Sequence, residues 1–138
     1  MNALANMIDR PFAPPLDMVL DIPVPPSVNR TRRVNWAHMK IVNDWKKRAD
    51  VLLIASGQFR KAKDQNLTGP FEITIILNEK LCRLDPDNPV KAAVDYLRAL
   101  ELIPNDSPKF VRRIVIEWGE APEGCRMIVR PAEVQEAA

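Results

Sequence analysis

Apolar residues along this chain fall into groups with two different spacings. In FEITIILNE, Phe71, Ile73, Ile75 and Leu77 recur at every second position among β-branched neighbours, which predicts a strand with one buried face. MVLDIPV, from Met18 to Val24, predicts a shorter strand that Pro25 and Pro26 end. FVRRIVIEWG and CRMIVRP predict two more, and the turn-rich EAPEG between them is short enough to suggest an antiparallel hairpin. From Asn35 to about Ser56 the spacing changes. Val42, Trp45, Ala49, Leu52 and Leu53 repeat every three or four residues, as on one side of a helix that Gly57 would stop. A second helix is predicted from Pro89 to about Glu101, with Ala92, Ala93, Leu97 and Leu100 as its packing face. GQFRKAKDQNLTGP reads as a polar, basic loop closed by Gly69-Pro70. The order β-α-β-α-β-β predicts an α+β fold: a mixed sheet with helices packed on one face.

At 138 residues the chain is expected to be a single domain. Residues 1–16, rich in proline and poor in large apolar groups, are expected to be a loosely attached arm; 17–131 form the folded domain and 132–138 a short tail. No apolar run approaches the roughly 18 residues of a membrane span. The N-terminus also lacks the charged-then-apolar order of a secretory signal, so a cytoplasmic protein with no membrane partner is expected. Cys82 and Cys125 stand far apart without a CxxC context, which suits buried, reduced thiols. His38 is the only histidine, so neither a zinc cluster nor a histidine-based triad is readily built, and no glycine-rich phosphate loop points to an NTPase.

Charge is unevenly placed. Between Asn29 and Lys63 lie ten basic residues, against which only Asp44 and Asp50 stand, whereas from Ile114 onward five glutamates oppose Arg126 and Arg130. Such separation suits a basic face for a polyanion, and equally a solvated helix face with a flexible loop.

The densest chemistry is in RLDPDNPVKAAVDYLRALELIPNDSPK. Asp85 precedes Pro86 and Asn88 precedes Pro89, so both pre-proline residues are steered away from helical backbone angles. Pro89 suits a first helical position and Asn88 an N-cap. In an extended DPD segment the side chains of Asp85 and Asp87 project to the same side. Two hard oxygen donors so placed suit a Mg²⁺ ion that keeps several waters. Lys91 would lie at the third helical position, one turn from that point, where it could neutralise a phosphate or help position a water. A lysine there opposes the helix dipole, so helix stability does not explain it. Acidic residues near a helix start are also ordinary capping and turn chemistry, and the residues alone leave both readings open.

DPDNPVKAAVDYLRAL, followed by Asn105-Asp106, resembles the signature of the RusA-type Holliday-junction resolvases: an Asp-x-Asp-Asn, a lysine four residues on, and an acidic pair about a helix length later. PPSVNR, from Pro25 to Arg30, resembles that family's stretch after the first strand, and the likeness runs roughly from Val19 to Val129. It implies a Mg²⁺-dependent endonuclease acting on four-way DNA junctions as a homodimer. Asp85, Asp87 and Asp106 would be the metal-binding catalytic carboxylates and Lys91 the catalytic lysine. Asn29, Arg30, Arg32, Arg33, Lys46, Lys47, Arg60, Lys61 and Lys63 would hold DNA. Trp36 is a candidate for base contact, whereas Trp45 falls on the apolar helix face. The chain departs from the pattern at Asn105, where the family often has an acid. The alternative from another class is a branched-DNA or duplex-binding protein without nuclease activity.

One geometric difficulty is already visible. A helix from Pro89 to Glu101 would be roughly 20 Å long. Leu102 to Asp106 spans at most about 17 Å, so bringing Asp106 back to Asp85 and Asp87 within one chain is tight. An antiparallel two-fold dimer would ease it by letting the partner supply the third aspartate.

Overall fold

The computed structural model describes residues 17–26, 36–82, 89–105 and 107–132. The expected arm at 1–16 lies outside them, as does all of the expected tail except Ala132. Seven elements follow in order: β1 (Met18–Pro23), α1 (Trp36–Ser56), α2 (Gln58–Gln65), β2 (Phe71–Leu77), α3 (Val90–Ala99), β3 (Val111–Trp118) and β4 (Gly124–Pro131). They form an α+β fold, an open mixed sheet of order β1-β4-β2-β3 carrying three helices.

Period-two burial decides which side of the sheet is the core. Met18, Leu20 and Ile22 of β1, Phe71, Ile73, Ile75 and Leu77 of β2, and Cys125, Met127 and Val129 of β4 are all buried, while the residues between them are partly or fully exposed. Register agrees, pairing Ile73 with Val129 and Ile75 with Met127. Trp45, Ala49 and Leu53 of α1, Ala62 of α2 and Ala93, Val94, Tyr96 and Leu97 of α3 join these strand residues in one cluster. The helices therefore cover one face, as expected.

Strand directions explain how the ends of the molecule are assigned. β4 is antiparallel to both β1 and β2, and β3 is parallel to β2, so β1, β2 and β3 all run one way. α1 and α2 return along β1: Trp45 Nε1 donates to the Pro23 carbonyl at 2.9 Å, and Gln58 meets Asp21 farther back. α3 runs beside α1 in the same sense, with Ala92 and Asp95 across from Val42 and Lys46, and Leu100 across from Leu53 and Ile54. Hence α3 starts at the end of the sheet where β2 and β3 finish and ends where they begin.

Two expectations need correcting. β3 and β4 are not a hairpin, because β2 lies between them. The short connection arches over the end of β2, where Gly119 N donates to Leu77 O, Asn78 N to Gly124 O, and Asn78 Nδ2 to Ala121 O. Two strand spacings, roughly 10 Å, are within reach of five residues. Gly124 closes the arch at a φ of 116°, and a Cβ there would come within 2.7 Å of Val24 Cγ2. The second correction is that Gln58–Gln65, within the expected loop, is helical. Gly57 does stop α1, in left-handed geometry at φ 77°, and the chain then resumes as α2. The remaining elements fall within a residue or two of their expected bounds.

Candidate metal and nucleic-acid site

Asp85, Asp87 and Asp106 lie outside the described residues, as do Asn29, Arg30, Arg32 and Arg33. Lys91 and the residues flanking the aspartates are described, and they locate the site's parts. α3 follows Pro89, whose own backbone is already near helical (φ −79°, ψ −7°). Ala92, Ala93, Val94, Tyr96 and Leu97 bury its inner side. This packing fixes the helix and turns Lys91 outward, its side chain 63% exposed, with Nζ 3.9 Å from the Asp95 carboxylate one turn on. A lysine preceding an acid at this spacing is the less favourable order for a helix, so the pair adds little to helix stability.

Asp95 also lines a groove of about 300 Å³ between α3 and the first half of α1, with Ala92 opposite His38, Val42, Asn43 and Lys46. Lys46 therefore shares a groove with the helix that carries Lys91. Lys47 is exposed one position further round α1. Arg60, Lys61 and Lys63 are exposed on α2, near the other end of α3. There Lys63 Nζ donates to the Glu101 carbonyl at 3.3 Å and lies 5.9 Å from the Phe59 ring centre. Among the described residues, the expected DNA-binding cations thus fall at two places, one toward each end of α3.

The flanks of the three aspartates divide the same way. Cys82 N donates to Asn78 O, immediately past β2, and Pro89 begins α3. Ser107 O accepts from both Phe110 N and Val111 N at the start of β3, and Phe110 O accepts from Phe71 N at the start of β2. Ser107 and Pro89 therefore stand at opposite ends of the sheet. Asn105, the departure from the resembled pattern, uses its Oδ1 to accept from Ser107 N at 3.0 Å. Among the described residues, no three His, Cys, Asp or Glu side chains form a group suited to a metal ion.

Trp45 is core: buried, edge-on to Tyr96 with ring centres 5.0 Å apart, and bonded through its indole N–H. Trp36 is 77% exposed. Tyr96 donates to Asp50 Oδ1 at 2.6 Å; burial and that carboxylate both raise its pKa. Cys82 and Cys125 are buried and form no disulfide, as expected, and burial, with the neighbouring Cys82 and Asp21, pushes the Cys125 thiol up to about 12. A thiol so placed stays protonated and unreactive near neutral pH.

A polar cluster on the other sheet face escaped the sequence reading. Arg126 Nε and Nη2 donate to the two oxygens of Asp21 at 2.8 and 3.2 Å, and Gln58 Nε2 donates to Asp21 Oδ2 at 2.8 Å. Burial raises the Asp21 pKa, but the Arg126 and Gln58 hydrogen bonds and the guanidinium charge outweigh it, leaving the group lowered. Asp21 and Arg126 are 105 positions apart and meet only because β1 pairs with β4.

Neither a family model nor a curated relative matches this chain. The functional reading therefore rests on the residues themselves and the resemblance they carry.

Proposed function

We propose that this protein is a Mg²⁺-dependent endonuclease of the RusA type that resolves four-way DNA junctions by paired nicks, acting as a cytoplasmic homodimer. The observation that carries this reading is Lys91, held outward on a well-packed helix immediately after DPDNP, where helix stability gives no reason for a lysine. The proposed donor set of Asp85, Asp87 and Asp106 is all carboxylate, the chemistry that suits Mg²⁺. Bound there, Mg²⁺ would supply a more acidic water and stabilise charge on the reacting phosphate. Asp85 and Asp87 would hold the ion beside the start of α3. Lys91 would neutralise a non-bridging phosphate oxygen, with Asp95 steadying its ammonium. Lys46, across the groove from Asp95, would hold the adjoining backbone phosphate, and the α2 cations a second arm of the junction. The opposite placement of Pro89 and Ser107 favours a site completed by Asp106 of a second subunit. Two-fold symmetry of such a dimer would match that of the junction.

The deciding experiment incubates the purified protein and Mg²⁺ with a synthetic four-way junction, alongside linear duplex and single-stranded controls. Paired symmetric nicks that vanish with EDTA and in Asp87→Asn are expected. Cutting of all three substrates alike would make it a general nuclease. The rival reading, a branched-DNA or duplex binder without nuclease activity, draws on Asn105: its side chain serves a turn, and it stands where the resembled pattern often has an acid. Tight binding with no nicks would select it. Mixing Asp85→Asn with Asp106→Asn subunits tests the shared site. Mixed dimers regain one intact site if the carboxylates come from two chains, and none if they come from one.

A further inference from the structure

The open sheet has two edges, and they are finished differently. On β1, Gln58 Oε1 accepts from the outward Asp21 N–H at 2.8 Å, so α2 blocks that edge. β3 forms the other edge and, among the described residues, pairs only with β2. Ile114 and Trp118, whose register partners Ile73 and Leu77 are fully buried, are themselves 45% and 46% exposed. A long edge strand with apolar side chains on its core side is a template for another strand.

We propose that β3 pairs antiparallel with β3 of a second copy of this chain across a two-fold axis through Val115. The strand is self-complementary in that register. Arg113 of each chain lies opposite the partner's Glu117, Val115 opposite the partner's Val115, and Ile114 opposite the partner's Ile116. Each match is made on one face, because Arg113, Val115 and Glu117 share the side of Glu72, Thr74 and Ile76, while Ile114 and Ile116 share that of Ile73 and Ile75. Arg113 and Glu117 are exposed in the single chain, and neither is used in the core. Two ion pairs thus form per interface while the half-exposed Ile114 is covered, and the two sheets become one of eight strands. A slip by two residues would pair Ile114 with Trp118 but leave Arg113 facing Gly119, and its one charge match, Arg112 with Glu120, falls beyond the strand end at Trp118; the first register keeps both ion pairs within β3.

This dimer stands without the nuclease reading, yet it supplies the geometry that reading needs. Antiparallel pairing sets the start of one β3, with Ser107, beside the end of the partner's β3, the end of the partner's sheet from which its α3 starts. The ends that one chain keeps apart are brought together by two.

Sedimentation equilibrium of the full chain at tens of micromolar tests the interface. The wild type should be a dimer. Arg113→Glu, which sets acid against acid twice, should weaken association roughly tenfold or more. Arg113→Glu combined with Glu117→Arg should restore it. Hydrogen exchange on the unaltered chain gives a second readout: amides on the outer side of β3 should gain protection as concentration rises. A monomeric wild type, dimerisation undiminished in Arg113→Glu, a double variant that stays monomeric, or exchange independent of concentration would each overturn the proposal. Junction nicking is scored separately, so loss of the interface and loss of the nuclease reading are distinguishable.

Discussion

The β1 and β3 edges begin from similar backbones and end in different chemistry. β1 is overlaid by the return of α1 and α2. Trp45 caps the Pro23 carbonyl, Gln58 bonds both the Asp21 amide and its carboxylate, and Arg126 reaches Asp21 from β4. Every one of these contacts ties β1 to another element of the same chain. β3 is bonded to β2 on one side, with nothing bonded along its outer side among the described residues, and its charged pair, Arg113 and Glu117, has no such task. Polar groups committed within the chain finish an edge, whereas polar groups left in a self-complementary order offer it to a second chain.

Removing the β1 closure should produce the largest effect. Trp45→Ala takes away a buried indole, its edge-on contact with Tyr96 and the donor to Pro23 O. The expected loss is about 3–5 kcal/mol, read as a fall in the urea midpoint without a change in slope. Loss below about 1 kcal/mol would mean that α1 does not hold that edge.

Asp21→Asn should rank second, at about 1–3 kcal/mol near neutral pH, because Arg126 loses its charged acceptor. Its pH dependence follows from the sign of the shift. The folded pKa of Asp21 lies below the ordinary carboxylate value. Its contribution is therefore fully present above the unfolded pKa and disappears as pH falls through the folded one. Urea midpoints measured from pH 7 down to about pH 2 should converge for wild type and variant at the acid end. A constant gap across that range would show that the carboxylate's charge is not what matters.

These contacts also show where sequence reading reaches its limit. Six elements were legible because alternating Phe71, Ile73, Ile75 and Leu77, or helically spaced Trp45, Ala49 and Leu53, record the burial that the fold then provides. α2 was not. QFRKAKDQ contributes only Ala62 to the fully buried core, with Phe59 partly buried, and one apolar turn among cations resembles a basic loop. The β3–β4 hairpin failed because connection length does not reveal that β2 intervenes, a matter settled by pairing partners rather than local residues. At the candidate site, Lys91's place in the first turn of a helix was legible from spacing. The groove it shares with Lys46 was not, since it exists only once α1 lies against α3. Asp21 and Arg126 gave no local signal, being neighbours across strands distant in sequence.

The smallest effect on the folded monomer should come from the open edge, and that contrast makes it informative. Trp118 is nearly half exposed, so Trp118→Ser gives up only part of an aromatic contact and should cost a single chain about 1 kcal/mol or less. If β3 receives a second copy, the same substitution removes apolar surface at the rim of the interface. Apparent stability should then depend on protein concentration in the wild type and less so in the variant. Thermal midpoints taken over a hundredfold dilution separate the two contributions. At high dilution the curves should nearly coincide, and at high concentration the wild type should melt higher. Equal midpoints throughout would make β3 an edge that the chain leaves open, and its likeness to an interface would reduce to a coincidence of charges.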